Sequence, residues 1–324
     1  MIKNAASTLL RMALLLLGVS LFSFILIVSA PIDPVTAFVG AESGVSEEQK
    51  ALVAEYWGLD KPPAERFFYW LSNVLRGDMG VSLTLRRPVA EALAERALAS
   101  LALMVTAWIL SGVLGFILGV VCGANRYSLF DKAARTFCFV LSSTPVFWIG
   151  LLLLMFFSIY LGWFPLGLSV PIGKMASEVT IWDRIHHLIL PALTLSITGV
   201  SAIALHTRQK LIDVLESDYA LFARARGEWG WQLVKRHGLR NIAIPAVTLQ
   251  FASFSELFGG SVLAETVFSY PGLGSAVSLA GNQGDVPLFL GVALFSALFV
   301  FVGNLTANIL YGLLNPEIRE GNAL

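Results

Sequence analysis

Hydrophobic residues in this chain fall into long unbroken runs rather than the short periodic groups that build a soluble core. Crossing the hydrocarbon layer of a membrane as a helix takes about 20 consecutive apolar residues. Six stretches meet that length: Leu9–Ala30, Ala97–Cys122, Thr136–Trp163, Leu188–Thr207, Ile242–Val267 and Val286–Leu314. The pattern predicts an all-α polytopic membrane protein with six transmembrane helices. Val28-Ser29-Ala30 could pass for a cleavage site, but the run before it is longer than the 7–15-residue core of a signal peptide. Residues 1–30 are therefore read as a retained first span, followed by an outward-facing segment over 31–96 and a five-helix core over 97–324.

Polar residues between the runs set the orientation. Basic residues collect on the cytoplasmic side of membrane proteins. With the N-terminus inside, Lys3, Arg11, Arg126, Lys132, Arg135, Arg208, Lys210, Arg224, Arg226, Lys235, Arg236, Arg240 and Arg319 lie inside, 13 of the 22 Lys and Arg residues. Both termini are then cytoplasmic. Within segment 31–96, Ser46-Glu47-Glu48-Gln49 reads as a capping box opening a helix. Phe67, Phe68, Trp70, Leu71, Val74 and Leu75 follow Pro62-Pro63 at helical spacing. This second helix is expected to lie on the membrane surface, pack on the spans or meet an external partner.

Composition agrees and adds exclusions. The chain has 324 residues, 56% hydrophobic and only 14% charged, a net charge of +0 and a mean hydropathy of +0.74. Balanced charge argues against a nucleic-acid partner. Cys122 and Cys138 are too few for a disulfide framework and lack metal-ligand spacing, so both are read as small buried hydrophobes. His186-His187 diverge by ~100° on a helix and do not readily share a metal. The sequence contains no phosphate-binding G-x-x-x-x-G-K-[ST], no H-E-x-x-H and no G-x-S-x-G. No catalytic residues are assigned, nor any metal or cofactor bound by this chain.

Three local features carry more information. Gly115, Gly119 and Gly123 recur at spacing four, which puts them on one helix face and lets a neighbouring backbone approach closely. Pro145 should kink the third span. The polar segment 208–241 sets Arg208, Lys210, Arg224, Arg226, Lys235, Arg236 and Arg240 against Asp213, Glu216, Asp218 and Glu228. There Asp218 can cap a short helix through Ala220, Phe222, Ala223, Arg224, Ala225 and Arg226. Gly227 stops it, and Trp229-Gly230-Trp231 opens a second helix toward Arg240. A helix–glycine–helix elbow of this kind suits close contact with a partner, through its small alanines and its basic residues.

Asp218-Tyr219-Ala-Leu-Phe-Ala-Arg-Ala-Arg-Gly227, with Lys235-Arg-His-Gly-Leu-Arg-Asn241 and Pro245, resembles the ATPase-docking loop of bacterial ABC importer permeases. The likeness is greatest to the dipeptide/oligopeptide/nickel class. It extends through Gly259-Gly260-Ser-Val-Leu-Ala-Glu265-Thr-Val-Phe268-Ser-Tyr-Pro271-Gly-Leu-Gly274 and Leu314-Asn-Pro316-Glu-Ile-Arg319. Upstream it includes Trp57-Gly-Leu-Asp60, Leu75-Arg-Gly-Asp-Met-Gly80 and Ser143-Thr-Pro-Val-Phe-Trp148. Two positions depart from the loop signature: Leu221 stands where an acid is usual, and His237-Gly-Leu239-Arg replaces Ile-x-Leu-Pro.

The resemblance implies a non-enzymatic permease subunit of the bacterial inner membrane, working by alternating access. It implies four kinds of partner: a second homologous permease subunit, two ATPase subunits carrying ATP and Mg, an extracytoplasmic substrate-binding protein, and the lipid bilayer. Asp218, Ala223, Arg224, Ala225, Arg226, Gly227, Arg236 and Arg240 would form the docking loop. Di- or oligopeptides are the expected cargo, with nickel or another metal chelate as the alternative. Glu256, near the middle of the fifth span, resembles the nickel-type members and is read either as a pathway residue or as a polar tether to a neighbouring helix. A secondary transporter would need several intramembrane ionisable residues and repeated halves. A membrane-embedded enzyme would need paired catalytic groups within the spans. The spans as read here offer Glu256 alone and no repeat.

Overall fold

The computed structural model describes residues 2–30, 35, 46–56, 61–175 and 177–314. In chain order the helices are α1 (Ile2–Ser29), α2 (Glu47–Tyr56), α3 (Pro63–Leu75), α4 (Val89–Ala124), α5 (Leu129–Ser143), α6 (Val146–Leu153) and α7 (Ile181–Glu216). They continue with α8 (Asp218–Ala225), α9 (Trp231–Leu233), α10 (Leu239–Ala252), α11 (Phe254–Val267), α12 (Leu273–Gln283) and α13 (Val286–Leu314). Wider π-helical turns extend α6 through Leu154–Tyr160 and join α9 to α10 through Val234–Gly238. Among the described residues no strand forms, only an isolated bridge between Val81 and Pro88. The all-α expectation holds. The capping residues Glu47 and Gln49, the Trp57–Asp60 stretch and the chain beyond Leu314 lie wholly or in their side chains outside the described residues.

Among the described residues four helices are long and apolar enough to cross a membrane unaided, and two bent pairs raise the possible number to six. One bend was expected and the other was not. The third run breaks where Pro145 was expected to kink it, but far more sharply: α5 and α6 meet at 109° across Thr144 and Pro145. Proline removes the backbone donor and forces the residue before it away from helical angles, and Thr144 is accordingly extended at φ −94°, ψ 131°. The fifth run is likewise divided, with α10 and α11 inclined by 60° about Ser253. In contrast, Pro191 and Pro245 lie inside helices that continue past them.

The chain divides into two compact units. One comprises residues 1–100 and 271–301. Its core joins Phe24 of α1, Phe67 of α3 and Leu290 of α13, with Trp70 and Leu71 packed against them. Thus the inward face of the amphipathic α3 packs on spans, while Phe68, Tyr69 and Leu75 remain exposed. Buried Asp285 precedes α13 and lashes the loop between α3 and α4 to it. It accepts hydrogen bonds from Ser82 Oγ (2.6 Å), the Thr84 amide (2.9 Å) and the Leu288 amide (3.1 Å).

The second unit comprises residues 101–270 and 302–324 and is organised around α7. This helix has 36 residues, about 54 Å at ~1.5 Å per residue, against ~30 Å of hydrocarbon. Its apolar stretch therefore continues into a polar leg beyond the membrane. The glycine face of α4 packs on it as the spacing predicted. A methyl group on Gly115 would stand 2.9 Å from the Val200 carbonyl oxygen, and one on Gly119 2.7 Å from that of Ala204. Cys122 and Cys138 are both buried, as expected of small apolar side chains.

Candidate functional site

The segment 208–241 does not begin as a loop. Residues 208–216 are the leg of α7, and Arg208, counted from sequence among solvated loop charges, is only 6% exposed. Its partner is Asp131 in the first turn of α5, fully buried. Asp131 Oδ1 accepts from Arg208 Nε at 2.5 Å and Oδ2 from Arg208 Nη2 at 2.7 Å. Asp131 Oδ2 also accepts from the Tyr127 amide at 2.8 Å, and the Asp131 amide donates to Ser128 Oγ at 3.2 Å. The carboxylate therefore caps the turn before α5 while gripping α7. Removing one partner of a buried ion pair typically costs about 3–5 kcal/mol, because the other charge is stranded. Farther along the leg, Arg126 pairs with Glu216.

At Ser217 the chain turns into the elbow. Ser217, not Asp218, is the residue preceding α8, and Asp218 takes the first helical position, where a negative charge suits the helix dipole. Helix α8 ends in a Schellman motif. The Gly227 amide donates to the Arg224 carbonyl at 2.9 Å and the Glu228 amide to the Ala223 carbonyl at 3.1 Å. Closing it requires a left-handed residue, and Gly227 has φ +89°. The elbow glycine thus has the conformational role the sequence suggested. The second helix does not end near Arg240. It passes through the π turn and runs on as α10.

The predicted docking residues separate into two groups. Ala223, 1% exposed, turns inward with Ala220 into a cluster of Val120, Leu211, Leu215, Leu233, Val234 and Ile242. Arg224 is half-buried and donates to the Leu215 carbonyl at 2.8 Å, tying α8 back to the leg. These two hold the elbow to its own chain, which corrects their expected outward role. Asp218, Ala225, Arg226, Gly227, Arg236 and Arg240 are exposed.

Sequence reasoning missed what else is outside. Leu221, Phe222 (75% exposed), Trp229 (67%) and Trp231 form an apolar set on the elbow's surface. A signal was present: four large apolar residues in a polar segment, with small alanines at the inward positions. Glu228 was also overlooked. Its buried carboxylate gathers His237 Nε2 (3.0 Å), Arg236 Nη1 (3.2 Å) and Arg226 Nη2 (3.5 Å) across the turn. Burial opposes ionisation of Glu228. The bond from His237 and the neighbouring Arg236, His237 and Arg226 charges outweigh it and hold its pKa below the usual glutamate range.

Glu256 stands in the first turn of α11, just past the bend, and is exposed. Among the described residues its carboxylate has no hydrogen-bond or ion-pair partner; only its amide bonds, to the Ser253 carbonyl at 3.2 Å. It is not the only acid of the fifth run, for Glu265 near the end of α11 is fully buried. Below the bend, Gln250 and Trp108 exchange bonds between α10 and α4. Trp108 Nε1 donates to the Gln250 carbonyl at 2.9 Å, and Gln250 Nε2 returns a bond to the Trp108 carbonyl. These residues line an apolar cavity of about 400 Å³ with Gly112, Phe116, Ile203 and Ala246.

The sequence profile of the "Binding-protein-dependent transport system inner membrane component" family matches residues 115–320, which include α5 to α11 and the elbow. The chain belongs to that family. Among its relatives, the oligopeptide transport system permease protein AppB of Bacillus subtilis is 35% identical over 306 residues, 94% of this chain and 95% of AppB. The glutathione transport system permease protein GsiC of Salmonella typhi is 36% identical over 305 residues, 94% of each chain. The dipeptide transport system permease protein DppB of Escherichia coli K12 is 34% identical over 322 residues, 94% of this chain and 95% of DppB. This permease is therefore a multi-pass protein of the bacterial inner membrane and a transport subunit of an ABC importer. Separate ATPase subunits hydrolyse ATP, and an extracytoplasmic substrate-binding protein is a partner.

Proposed function

We propose that this permease pairs with a second homologous permease subunit to enclose the pathway of an importer for di- or oligopeptides. Two ATPase subunits carrying ATP and Mg drive it from the cytoplasmic side, where both termini lie. The peptide assignment rests on the relatives, whose names cover oligopeptides, dipeptides and glutathione. Their common chemistry is a short amide-linked chain.

The observation that carries the coupling role is the exposed face of the elbow. Leu221, Phe222, Trp229 and Trp231 would be an aggregation hazard in water, yet they sit on a turn that is internally capped and anchored. An exposed apolar set on a rigid mount marks a protein–protein contact. Asp218, Ala225, Arg226, Arg236 and Arg240 border it and would complete the contact. The ATPase is the occupant this family requires. When ATP closes the two ATPases, the elbow moves with them and the paired permeases open outward.

A metal chelate is a second reading, favoured by one observation: the exposed carboxylate of Glu256 at the bend of the fifth span, without a partner among the described residues. A charge at mid-bilayer costs at least about 2.5 kcal/mol. Such a group belongs against a partner subunit or a watery path.

The test of the elbow is Gly227→Val. Valine at φ +89° is strained by roughly 1–2 kcal/mol, and open space around the position leaves no steric clash to confuse the result. Membrane insertion should be normal, while ATPase co-purification and uptake of a labelled dipeptide fall together. Full retention of both would remove the elbow from the mechanism.

A further inference from the structure

Asp131 has a second cation beside it. Arg135, one turn along α5, holds its Nε 3.9 Å from Asp131 Oδ1, and that Nε is buried and makes no hydrogen bond. Arg208 on α7 currently takes both carboxylate oxygens in a two-pronged grip. One buried acid thus stands between two arginines on two different helices, bonded to one and within a small displacement of the other.

The position of this group gives it leverage. Arg208 lies on the leg of α7, eight residues before Glu216, the last residue ahead of the elbow. The Arg224 bond to the Leu215 carbonyl fastens the elbow to the same leg. Asp131 begins α5, which leads to the 109° break and α6. Between leg and break, the carboxylate is a polar tie from α7 to the start of the bent span. An apolar contact there would hold the helices together equally well, since a buried ion pair is seldom worth more than well-packed hydrophobic residues. What the charged group adds is two discrete settings.

We propose that Asp131 is a two-position joint that passes displacement of the elbow to the bent span, held by Arg208 in one setting and by Arg135 in the other. Movement of the leg draws Arg208 away, and Arg135 takes up the released carboxylate, so Asp131 is never left unpaired. Asp131, Arg135 and Arg208 are in this sense positioning residues for energy coupling. The inference rests on the elbow being the ATPase contact, but it concerns a different step, the transfer of motion within the permease.

Arg135→Gln tests the joint, because Arg135 Nε contributes no hydrogen bond to the present setting and its loss leaves the Asp131–Arg208 grip intact. The assembled importer, with both permeases, the ATPases and the binding protein, is reconstituted in vesicles, and labelled dipeptide uptake is divided by ATP hydrolysed. The complex should be recovered at wild-type yield with its ATPase subunits. The ratio should fall about three- to thirtyfold, the range by which residues in coupling networks change linkage. Arg208→Lys, which keeps the charge but not the two-pronged grip, should lower the ratio in the same direction. An unchanged ratio with Arg135→Gln overturns the joint. So does a parallel loss of uptake and hydrolysis, which would make the group a brace only. Loss of the ATPase subunits from the variant would place Arg135 in docking and also overturn it. Gly227→Val, measured alongside, reads the elbow independently.

Discussion

The α4–α7 seam and the elbow adjoin along the chain, yet they are built by opposite rules. In the seam, glycines let two backbones nearly touch, and next to it Asp131 of α5 is sealed among helices with the buried Arg208 of α7. In the elbow the small residues turn inward, the large apolar ones turn outward, and the cations held by Glu228 stand mostly in solvent. The glycine contacts leave no room for a larger side chain, whereas the elbow is shaped for a surface it does not itself contain. The difference separates residues that fix the permease from residues that connect it.

The largest effect should follow from disturbing the seam. A side chain at Gly119 would meet backbone oxygen and the Thr207 side chain at once, neither of which can swing away. Overpacking a fitted interface costs about 1–3 kcal/mol even for small additions. Gly119→Leu is expected to abolish recovery of folded permease from membranes, with Gly119→Ala intermediate. Gly18→Leu, at a position with nothing within 4 Å, should be recovered like wild type. Quantifying detergent-stable protein by size-exclusion chromatography tests this, and equal recovery of the Gly18 and Gly119 variants would erase the distinction between seam and surface.

A smaller effect is expected in the elbow, and it depends on pH. The Glu228 carboxylate is held below its ordinary pKa, so the stabilisation it provides is fully present above the unfolded value, about 4.3. It is lost as pH falls through the lower folded value. ATPase docking should therefore be insensitive to pH around neutrality, where the Glu228 ion pairs are fully formed. Trp229 and Trp231 flank the clasp, and Trp fluorescence of the permease should change on acidification below about pH 4.3. Glu228→Gln should remove that titration and weaken ATPase co-purification, while leaving recovery of the permease unchanged. An acid transition identical in both proteins would show that the clasp does not shape this surface.

How much of this could be read from the sequence differs in the same way. The glycine seam was legible because spacing of four on a helix fixes a face whatever the neighbour. The elbow turn was legible because Gly227 must supply a left-handed residue where a short helix ends. The place of the first bend was legible in Pro145, but not its sharpness: Pro145 divides its run, whereas Pro191 and Pro245 do not, and the fifth run bends at Ser253 with no proline at all. Hydropathy registers apolar length and is blind to the direction of a helix. The Asp131–Arg208 pair was hidden by its separation in sequence, and Arg208 looked like one more inner-loop charge. In the elbow, the usual expectation that large apolar residues point inward is reversed. Only an assumed partner makes that pattern sensible.

Glu256 belongs to neither region and provides the smallest and most specific effect. Asp131 is bonded by Arg208 and Glu228 by three cations, but Glu256 has no such partner among the described residues and lies exposed in the first turn of α11. Among the described residues no tether from Glu256 to a neighbouring helix is present. A helix start suits a negatively charged side chain, which fits the proposed role facing a pathway. Glu256→Gln keeps size and hydrogen-bonding capacity and removes only the charge. Recovery of the permease and ATPase co-purification should match wild type, since no partner is stranded. Uptake of a cationic or metal-bearing substrate should fall by a few fold relative to a neutral dipeptide in membranes with matched protein levels. Equal transport of both substrates at wild-type rates would remove Glu256 from charge selection. The metal-chelate reading would then lose the one observation in this chain that favours it, and the neutral peptide pathway would stand unopposed.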